Sequence, residues 1–264
     1  MTGGLMIIVP HPDDEVLIAG GVLAACATTG LPTSVVCLTS GEQGPIADPG
    51  LATRETLGFV RRRELAEACA ELGVQWVKCY RRPDGNLAWC GDHARIAAQI
   101  GGVVLNRRPD AVISFGEDGL YWHPDHIATF ELTRRALARL AAPPALYRAV
   151  WPADLMCELV AELRQRGLPS DLWELGPDDF GTEDEERVGE LVVDVRGFTA
   201  HKLRALRCHR TQLGGGHAFA VLPDDLAERF LGVERFVAVA LGGGAAARGG
   251  WFEAQFGGAV LVHA

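Results

Sequence analysis

Short apolar runs alternate with longer amphipathic stretches along the first half of the chain. Four of these runs have strand length and predict β-strands at 5–9, 33–38, 75–79 and 111–115. After each run, apolar residues recur at helical spacing. The four predicted helices end near Thr29, Leu72, Val104 and Leu140, and the second begins near Thr53. Four strand–helix units with short connections are typical of a parallel sheet with helices on both faces.

Two of the predicted strands run into dense polar clusters. The first strand leads into Pro10-His11-Pro12-Asp13-Asp14-Glu15, and the fourth is followed by His123-Pro124-Asp125-His126. Carboxylates at the end of a buried strand are costly unless a cation neutralises them. In the common strand order 3-2-1-4, the first and fourth strands are neighbours, and functional residues lie beyond the strand ends where the order reverses. The two clusters are therefore expected to face one crevice and share one metal ion.

The pattern is weaker in the second half of the chain. It predicts strands at 145–150 and 191–195, helices at 154–166 and 198–213, an exposed acidic loop within 178–190, and a partly mobile Gly/Ala-rich tail from Gly242. No repeat and no linker is visible. We therefore expect a single domain, 1–264, in which an α/β core with the metal site, 1–141, carries a C-terminal α+β extension, 142–264. This extension is expected to form part of the substrate pocket and to determine substrate selectivity.

Composition narrows the functional classes. The hydrophobic fraction of 48% and the charged fraction of 22% are ordinary for a soluble globular protein. A formal net charge of −9 argues against nucleic acid as a partner. Seven cysteines without a Cys-x-x-Cys pair argue against a disulfide framework and against a thiolate zinc site. No apolar run approaches the ~20 residues of a membrane span, so a cytoplasmic protein without a membrane partner is expected.

The clusters contain a ligand set that suits zinc. Zinc binds imidazole nitrogen and carboxylate oxygen, and a catalytic site keeps one position open beside three protein ligands. His11 and Asp14 lie three residues apart at a strand-to-helix turn, and His126 would complete a His-Asp-His set. We expect one Zn²⁺ per chain, although Fe²⁺ or Co²⁺ can occupy the same kind of site.

The other polar residues of the clusters then have candidate roles. Asp13 can take a proton from water as a general base, and His123 can stabilise the oxyanion or protonate the leaving group. Asp125 can fix the tautomer of a histidine ligand without itself binding the metal. Glu15 is expected to orient a ligand or the start of the first helix. A structural histidine or a capping Asp-Asp pair is the simpler explanation for each cluster alone. Two such clusters at the ends of two strands favour catalysis.

The two clusters resemble the signature motifs of the PIG-L/LmbE-like zinc-dependent N-deacetylases. Three further segments are similar to motifs of that family: Thr39–Gly44, Arg61–Glu64 with Leu72–Val74, and Lys202–Leu206 with His209–Gln212. The resemblance covers most of the chain. It implies a Rossmann-like fold and hydrolysis of an N-acyl group, typically the acetyl of an N-acetylglucosaminyl moiety.

The resemblance also implies residue roles. By position, His11, Asp14 and His126 match the zinc ligands, Asp13 the general base, and His123 the histidine that stabilises the intermediate or acts as acid. Tyr121 lies where some members carry a tyrosine that contacts the substrate carbonyl. The candidates for substrate binding are Glu42, Arg61 (with Arg63 as a rival), Asp84 and Trp122.

The expected partner is a small N-acylated sugar, and self-association into a homo-oligomer is left open. The substrate could be a thiol-cofactor precursor, a chitin fragment or an antibiotic glycoside. An amidase that cleaves a larger sugar–thiol conjugate is the alternative enzyme, and a non-catalytic zinc-containing sugar-binding protein is the alternative outside catalysis. A dinucleotide-binding oxidoreductase is disfavoured, because Pro10–Glu15 places carboxylates where a pyrophosphate needs amide donors.

Overall fold

The computed structural model describes residues 3–182, 189–241, 250–257 and 260–262. The strands are β1 Leu5–Val9, β2 Thr33–Thr39, β3 Trp76–Arg82, β4 Ala111–Ser114, β5 Ala145–Ala149, β6 Leu191–Asp194, β7 Val233–Val239 and β8 Val260–Val262. The helices are α1 Asp14–Thr29, α2 Leu57–Glu71, α3 His93–Arg107, α4 Gly119–Trp122, α5 Pro124–Leu137, α6 Leu155–Gln165, α7 Thr199–Cys208, α8 Asp224–Leu231 and α9 Gly250–Phe256. Residues 183–188 of the predicted acidic loop and the start of the predicted mobile tail, at 242–249, lie outside the described residues.

The strands form one sheet in the order β3-β2-β1-β4-β5-β7-β6-β8. Strands β1 to β5 are parallel, whereas β7, β6 and β8 join the β5 edge in antiparallel pairs. The predicted α/β fold and the order 3-2-1-4 are confirmed. The extension therefore continues the sheet of the core rather than starting a second one.

Helices cover both faces of this sheet. Right-handed crossovers place α1 and α2 on one face and, after the chain crosses back to β4, α3 and α5 on the other. Helix α7 packs against α1 and α2, and α3 packs against α5. All five residues of β1 are buried, as expected for a central parallel strand that is covered on both sides.

The reversal of strand order lies between β1 and β4. Ile7 is the register partner of Ile113, so the two strands end side by side. The chain leaves β1 through the first polar cluster, and it enters α5 through the second, with Pro124 in the first turn of the helix. Backbone geometry alone thus brings together clusters more than 100 residues apart in the sequence.

Several predicted boundaries were wrong. Helix α2 begins at Leu57 rather than near Thr53, because the Thr56 hydroxyl accepts a hydrogen bond from the Thr53 backbone N–H (2.9 Å) and holds a turn there. Helix α5 ends at Leu137, and the helix expected to reach Leu213 ends at Cys208. Short helix α4, helix α8 and strand β7 were not predicted.

Helix α1 is interrupted at Ala19, whose φ of −150° and ψ of 17° are not helical. The backbone N–H groups of Gly21 and Val22 donate to the Glu234 carboxylate at 2.7 and 2.8 Å. The Lys202 ammonium donates to the Leu17 carbonyl (3.2 Å) and to Glu234 (2.7 Å). Residues of α7 and β7 therefore bond the backbone groups around this break.

None of the helices in the described part of the chain has the length and hydrophobicity needed to cross a membrane.

Candidate active site at the ends of β1 and β4

The three predicted metal ligands meet at the carboxylate of Asp14. Its Oδ2 lies 3.2 Å from His11 Nδ1, and its Oδ1 lies 3.3 Å from His126 Nε2. The His11 backbone N–H also donates to Asp14 Oδ2, at 2.9 Å. All three side chains are buried. Burial opposes ionisation of Asp14, but His126 and His11 outweigh it and hold the pKa of this carboxyl well below its usual range.

The orientation of His126 is fixed by its surroundings. His126 Nδ1 lies 3.0 Å from the Gly119 carbonyl oxygen, to which it donates, so Nε2 is the nitrogen that faces Asp14. The ring stacks on Phe115, with centroids 3.8 Å apart. A metal-binding histidine is typically held in this way, by a hydrogen bond from its second nitrogen.

Two further carboxylates surround His11. Its Nε2 lies 3.0 Å from Asp84 Oδ1 and 3.6 Å from Asp125 Oδ2. Burial lowers the pKa of His11, but hydrogen bonds to Asp125, Asp14 and Asp84 raise it well above the usual value. Burial likewise opposes ionisation of Asp84, yet the hydrogen bond with His11 lowers its pKa to about 2. Three acids around one imidazole make a strongly anionic site.

This geometry suits a divalent cation. One ligand atom from each of His11, His123 and His126 lies within 4.8 Å of the other two. His11, Asp84 and Asp125 form a second group of the same kind. Imidazole and carboxylate are the donors that zinc and related metals prefer. Neither group includes Asp14, whose carboxylate lies 3.2 Å from His11 and 3.3 Å from His126. The imidazole and carboxylate donors present at the site fit such an ion.

Asp13 is held in an unusual backbone conformation. Its φ of 110° lies in the region that favours glycine, and its side chain does not cap α1, so the simpler capping explanation does not apply to it. The Asp13 backbone N–H donates to Glu15 Oε2 (2.9 Å), and Glu15 Oε1 lies 3.0 Å from His209 Nε2. Burial raises the pKa of Asp13 to about 6, although the Arg61 guanidinium, 3.1 Å away, lowers it. Glu15 thus supports the conformation of Asp13.

His123 and Tyr121 border the same cavity. The Asp125 backbone N–H donates to His123 Nδ1 (3.2 Å), so the neutral ring carries its proton on Nε2. Burial, together with His126 and His11, lowers the pKa of His123 to about 4. The Tyr121 hydroxyl lies 3.5 Å from His126 Nε2, and burial raises its pKa well above the usual value.

A cavity of about 310 Å³ opens above these groups. Residues of the core that line it include Asp13, Asp84 and His123. Trp173, Leu175 and Gln212 line it from the C-terminal extension, as predicted for that part of the chain.

Only some of the predicted substrate-binding residues line the cavity. Asp84 lines the cavity, whereas Glu42 does not and accepts the Asp84 backbone N–H at 3.0 Å. Arg61 borders the cavity, but its buried guanidinium donates to the carbonyls of Gly41 (2.7 Å) and Pro12 (2.6 Å). These contacts join the loop after β1 to the loop after β2.

The remaining two candidates do not line the cavity. Trp122 is 70% exposed and borders a separate groove together with Trp89. Arg63 is exposed on α2. Asp125 accepts the backbone N–H groups of Gly85 (2.8 Å) and Leu87 (2.9 Å), so it anchors the loop after β3 as well as facing His11.

Sequence reasoning missed several residues that the structure brings to the site. His209 supports Glu15, and Thr211 donates through its hydroxyl (2.6 Å) and its backbone N–H (2.9 Å) to buried Glu64. Both belong to the His209–Gln212 segment, whose motif was visible but carried no assigned role. Trp173 had no motif at all, and only the fold brings it to the cavity.

A buried histidine–carboxylate cluster at the reversal of a parallel α/β sheet is typical of an enzyme active site. The chain belongs to the PIG-L family, whose description is GlcNAc-PI de-N-acetylase and which matches residues 6–137. A relative from Acidothermus cellulolyticus, named 1D-myo-inositol 2-acetamido-2-deoxy-alpha-D-glucopyranoside deacetylase, is 31% identical over 90% of this chain and 89% of its own length. These matches confirm the predicted family and an amide hydrolase of the N-deacetylase type.

Solved structures share the fold. N,N'-diacetylchitobiose deacetylase from Pyrococcus horikoshii has a TM-score of 0.59 and 21% identity, covering 90% of this chain and 84% of its own. The 4-carboxy-2-hydroxymuconate hydratase GalB from Pseudomonas putida has a TM-score of 0.60 and 19% identity, covering 91% and 97%. Because a hydratase has the same architecture, the fold alone does not specify the reaction.

Proposed function

We propose that this chain is a zinc-dependent N-deacetylase that releases acetate from an N-acetylglucosaminyl glycoside of a small molecule. One observation carries the proposal: His11, Asp14 and His126 converge beside Asp13 in a cavity that the extension helps to enclose. The name of the Acidothermus cellulolyticus relative supports the choice of substrate class.

The metal would be held by His11, Asp14 and His126, one ion per chain. The orientation of His126 Nε2 toward Asp14 and the carboxylates around His11 support this assignment. Fe²⁺ or Co²⁺ suits the same donors. A divalent ion there would supply Lewis acidity and make hydroxide available near pH 7.

Asp13 is the general base in this proposal. It lines the cavity, and Glu15 and Arg61 fix its backbone and its carboxylate. A carboxylate held in place beside the attacking water accepts its proton without reorganisation. Glu15 and Asp125 act as supports in this proposal: Glu15 bonds the Asp13 backbone N–H, and Asp125 bonds the backbone just after Asp84.

His123 and Tyr121 act on the other side of the scissile amide. The His123 Nε2–H and the Tyr121 hydroxyl are donors at the cavity wall, suited to the carbonyl oxygen as negative charge develops on it. His123 stabilises that charge or protonates the leaving amine.

Substrate binding is divided between the core and the extension. Asp84 accepts hydrogen bonds from sugar hydroxyls, whereas Arg61 and Glu42 act indirectly by holding the loops that carry Asp13 and Asp84. Residues 142–264 determine selectivity through Trp173 and its neighbours, which face the cavity.

The test is the Asp13→Asn variant. Asparagine tolerates a positive φ better than alanine, so the backbone at φ 110° is retained. We expect unchanged binding of Zn²⁺, measured by metal analysis after dialysis, and acetate release lowered at least ~100-fold.

Asp225→Asn, at an exposed carboxylate of α8, is the control for loss of one negative charge. Full activity of Asp13→Asn would contradict the mechanism. Comparing acetate release with amine release from longer N-acyl substrates separates the deacetylase from the amidase alternative.

A further inference from the structure

The loop that carries Tyr121 has a strained backbone. On either side of Tyr121, between β4 and α5, Leu120 and Trp122 have φ values of 65° and 60°, which lie in the left-handed region. A residue with a Cβ keeps such a conformation only where surrounding contacts hold it. The contacts of this loop therefore determine where the Tyr121 hydroxyl lies.

A segment of the C-terminal extension, Phe180–Thr182, supplies several of these contacts. The Thr182 hydroxyl donates to Asp118 Oδ2 (2.5 Å), and the Gly181 backbone N–H donates to the Leu120 carbonyl (2.8 Å). The other oxygen of the same carboxylate, Asp118 Oδ1, accepts the Leu120 backbone N–H at 3.2 Å. Both backbone polar groups of Leu120 are therefore bonded, one to the segment and one to a side chain that the segment holds.

The extension fixes the position of this segment. The Thr182 backbone N–H donates to the Trp151 carbonyl at 2.6 Å. Gly181 has a φ of 111°, and a Cβ at this position would lie 2.4 Å from the Cα of Ala153. Glycine therefore permits a close approach of two backbones that a larger residue would prevent.

The Phe180 ring packs against Tyr121 beside the catalytic cavity. Phe180 is buried, and its ring centroid lies 5.2 Å from that of Tyr121. The Tyr121 ring lies 5.0 Å from the His126 ring. Tyr121 lines the catalytic cavity, whereas neither Thr182 nor Asp118 is among the described residues that line it. An effect of Thr182 on the reaction would therefore be transmitted by the loop that carries Tyr121.

We propose that Thr182 is a positioning residue for the deacetylation. Through Asp118 it holds the strained loop so that the Tyr121 hydroxyl points at the carbonyl oxygen of the scissile amide, and Phe180 supports the Tyr121 ring. The inference rests on the proposed function, and it gives the extension a role in the chemical step in addition to lining the cavity.

The physical reason is the precision that a hydrogen-bond donor needs. Without the Thr182 hydroxyl, Asp118 Oδ2 loses a buried donor and the Leu120 turn loses part of its support. A displacement of about 1 Å in a group that stabilises developing charge can cost up to about 100-fold in rate.

The first test is Thr182→Val, which keeps the shape of the side chain and removes its hydroxyl. For acetate release from N-acetylglucosaminyl-inositol, we expect kcat to fall about tenfold while KM stays unchanged, because the Tyr121 contact strengthens in the transition state. The Zn²⁺ content after dialysis should equal that of the wild type. Thr182→Ser keeps the donor and should restore most of the lost kcat.

A double-mutant cycle with Tyr121→Phe tests whether the effect passes through Tyr121. Once the Tyr121 hydroxyl is absent, adding Thr182→Val should lower kcat by less than about twofold. Thr211→Val is the matched control, because the Thr211 hydroxyl also donates to a buried carboxylate, that of Glu64, at 2.6 Å. The effect of this control on kcat should be the same with and without the Tyr121 hydroxyl.

Amide hydrogen exchange gives a measurement that does not depend on activity. Exchange in the peptide 116–123, followed by mass spectrometry, should be faster in Thr182→Val than in the wild type and unchanged in Thr211→Val. Phe180→Leu is a second variant that leaves the Thr182 bond in place. It should also lower kcat, and only while the Tyr121 hydroxyl is present.

Two results would overturn the inference: an equal fold loss of kcat from Thr182→Val with and without the Tyr121 hydroxyl, or unchanged exchange in the peptide 116–123. A wild-type protein that releases no acetate would instead contradict the proposed function, and the exchange measurement would still decide whether Thr182 holds the loop.

Discussion

Asp13, Leu120 and Trp122 all adopt positive φ values, of 110°, 65° and 60°, and all three lie beside the histidine–aspartate cluster. For a residue with a Cβ, this backbone region costs about 1–2 kcal/mol. Such outliers persist where the surrounding structure over-determines them, as at active sites. Here the consequence is that Asp13 and His123 face one cavity from adjoining turns.

The strain at Trp122 is open to measurement. Its side chain is 70% exposed, so Trp122→Gly removes little burial while relieving the positive φ. We expect the free energy of unfolding to rise by about 1 kcal/mol. Urea denaturation monitored by circular dichroism measures it.

Trp89→Gly is the matched control, since Trp89 is 75% exposed and has no positive φ. It should not stabilise the protein. A lower stability of Trp122→Gly than of Trp89→Gly would show that the Trp122 ring, and not its backbone, dominates at this position.

At the scale of elements, the interrupted helix α1 connects the two halves of the chain. Its first turn carries Asp14, and Leu17 lines the catalytic cavity just before the break at Ala19. Lys202 and Glu234 satisfy the backbone groups that the break leaves free. Both side chains are buried, so each needs the other to balance its charge.

Removing one member of this pair should therefore strongly destabilise the protein. Lys202→Met leaves Glu234 as an unpaired buried carboxylate, and we expect a loss of about 3–5 kcal/mol in the free energy of unfolding. Arg204→Met, on the same helix, breaks an exposed pair with Glu71 and should cost under about 1 kcal/mol.

Combining Lys202→Met with Glu234→Gln removes both charges and should recover part of the loss. Thermal unfolding of the three variants measures the difference. Equal losses in Lys202→Met and Arg204→Met would contradict the role given to the buried pair.

Elements with a strong local sequence pattern were predicted correctly. Strand β1 matched its prediction, and Gly30 ends α1 with a φ of 72°, as expected for a stop glycine. The break at Ala19 was not predictable, since it depends on side chains about 180 and 215 positions further along the chain. Strand β7 was missed because it is only partly buried, although it pairs on both sides, and because Glu234 and Arg235 interrupt its apolar pattern.

The candidate site, too, was only partly predictable from the sequence. The groups nearest the proposed reaction, His11 to Asp14 and His123 to His126, follow directly from two clusters and a strand order. Trp173 could not be found this way, because a tryptophan in a loop becomes a candidate only through the cavity that the fold builds beside it.

At the scale of the whole molecule, a bound metal should add to stability. A ligand that binds only the folded state at 100 times its Kd contributes about 2.7 kcal/mol. We expect a chelator to lower the melting temperature of the wild-type protein, and added Zn²⁺ to restore it. Asp14→Asn, which removes a proposed ligand charge, should respond much less to either treatment. An identical response of both proteins would contradict the assignment of Asp14.

The contacts between the core and the C-terminal extension also constrain when the site can form during translation. Glu15 and Glu64 are buried acids of the core, and their partners His209 and Thr211 are synthesised about 150 to 190 residues later. A nascent chain that has emerged only as far as α5 holds every proposed metal ligand but lacks these partners. The conformation of Asp13, which depends on Glu15, is therefore completed only after α7 has left the ribosome, so the active site matures late in translation.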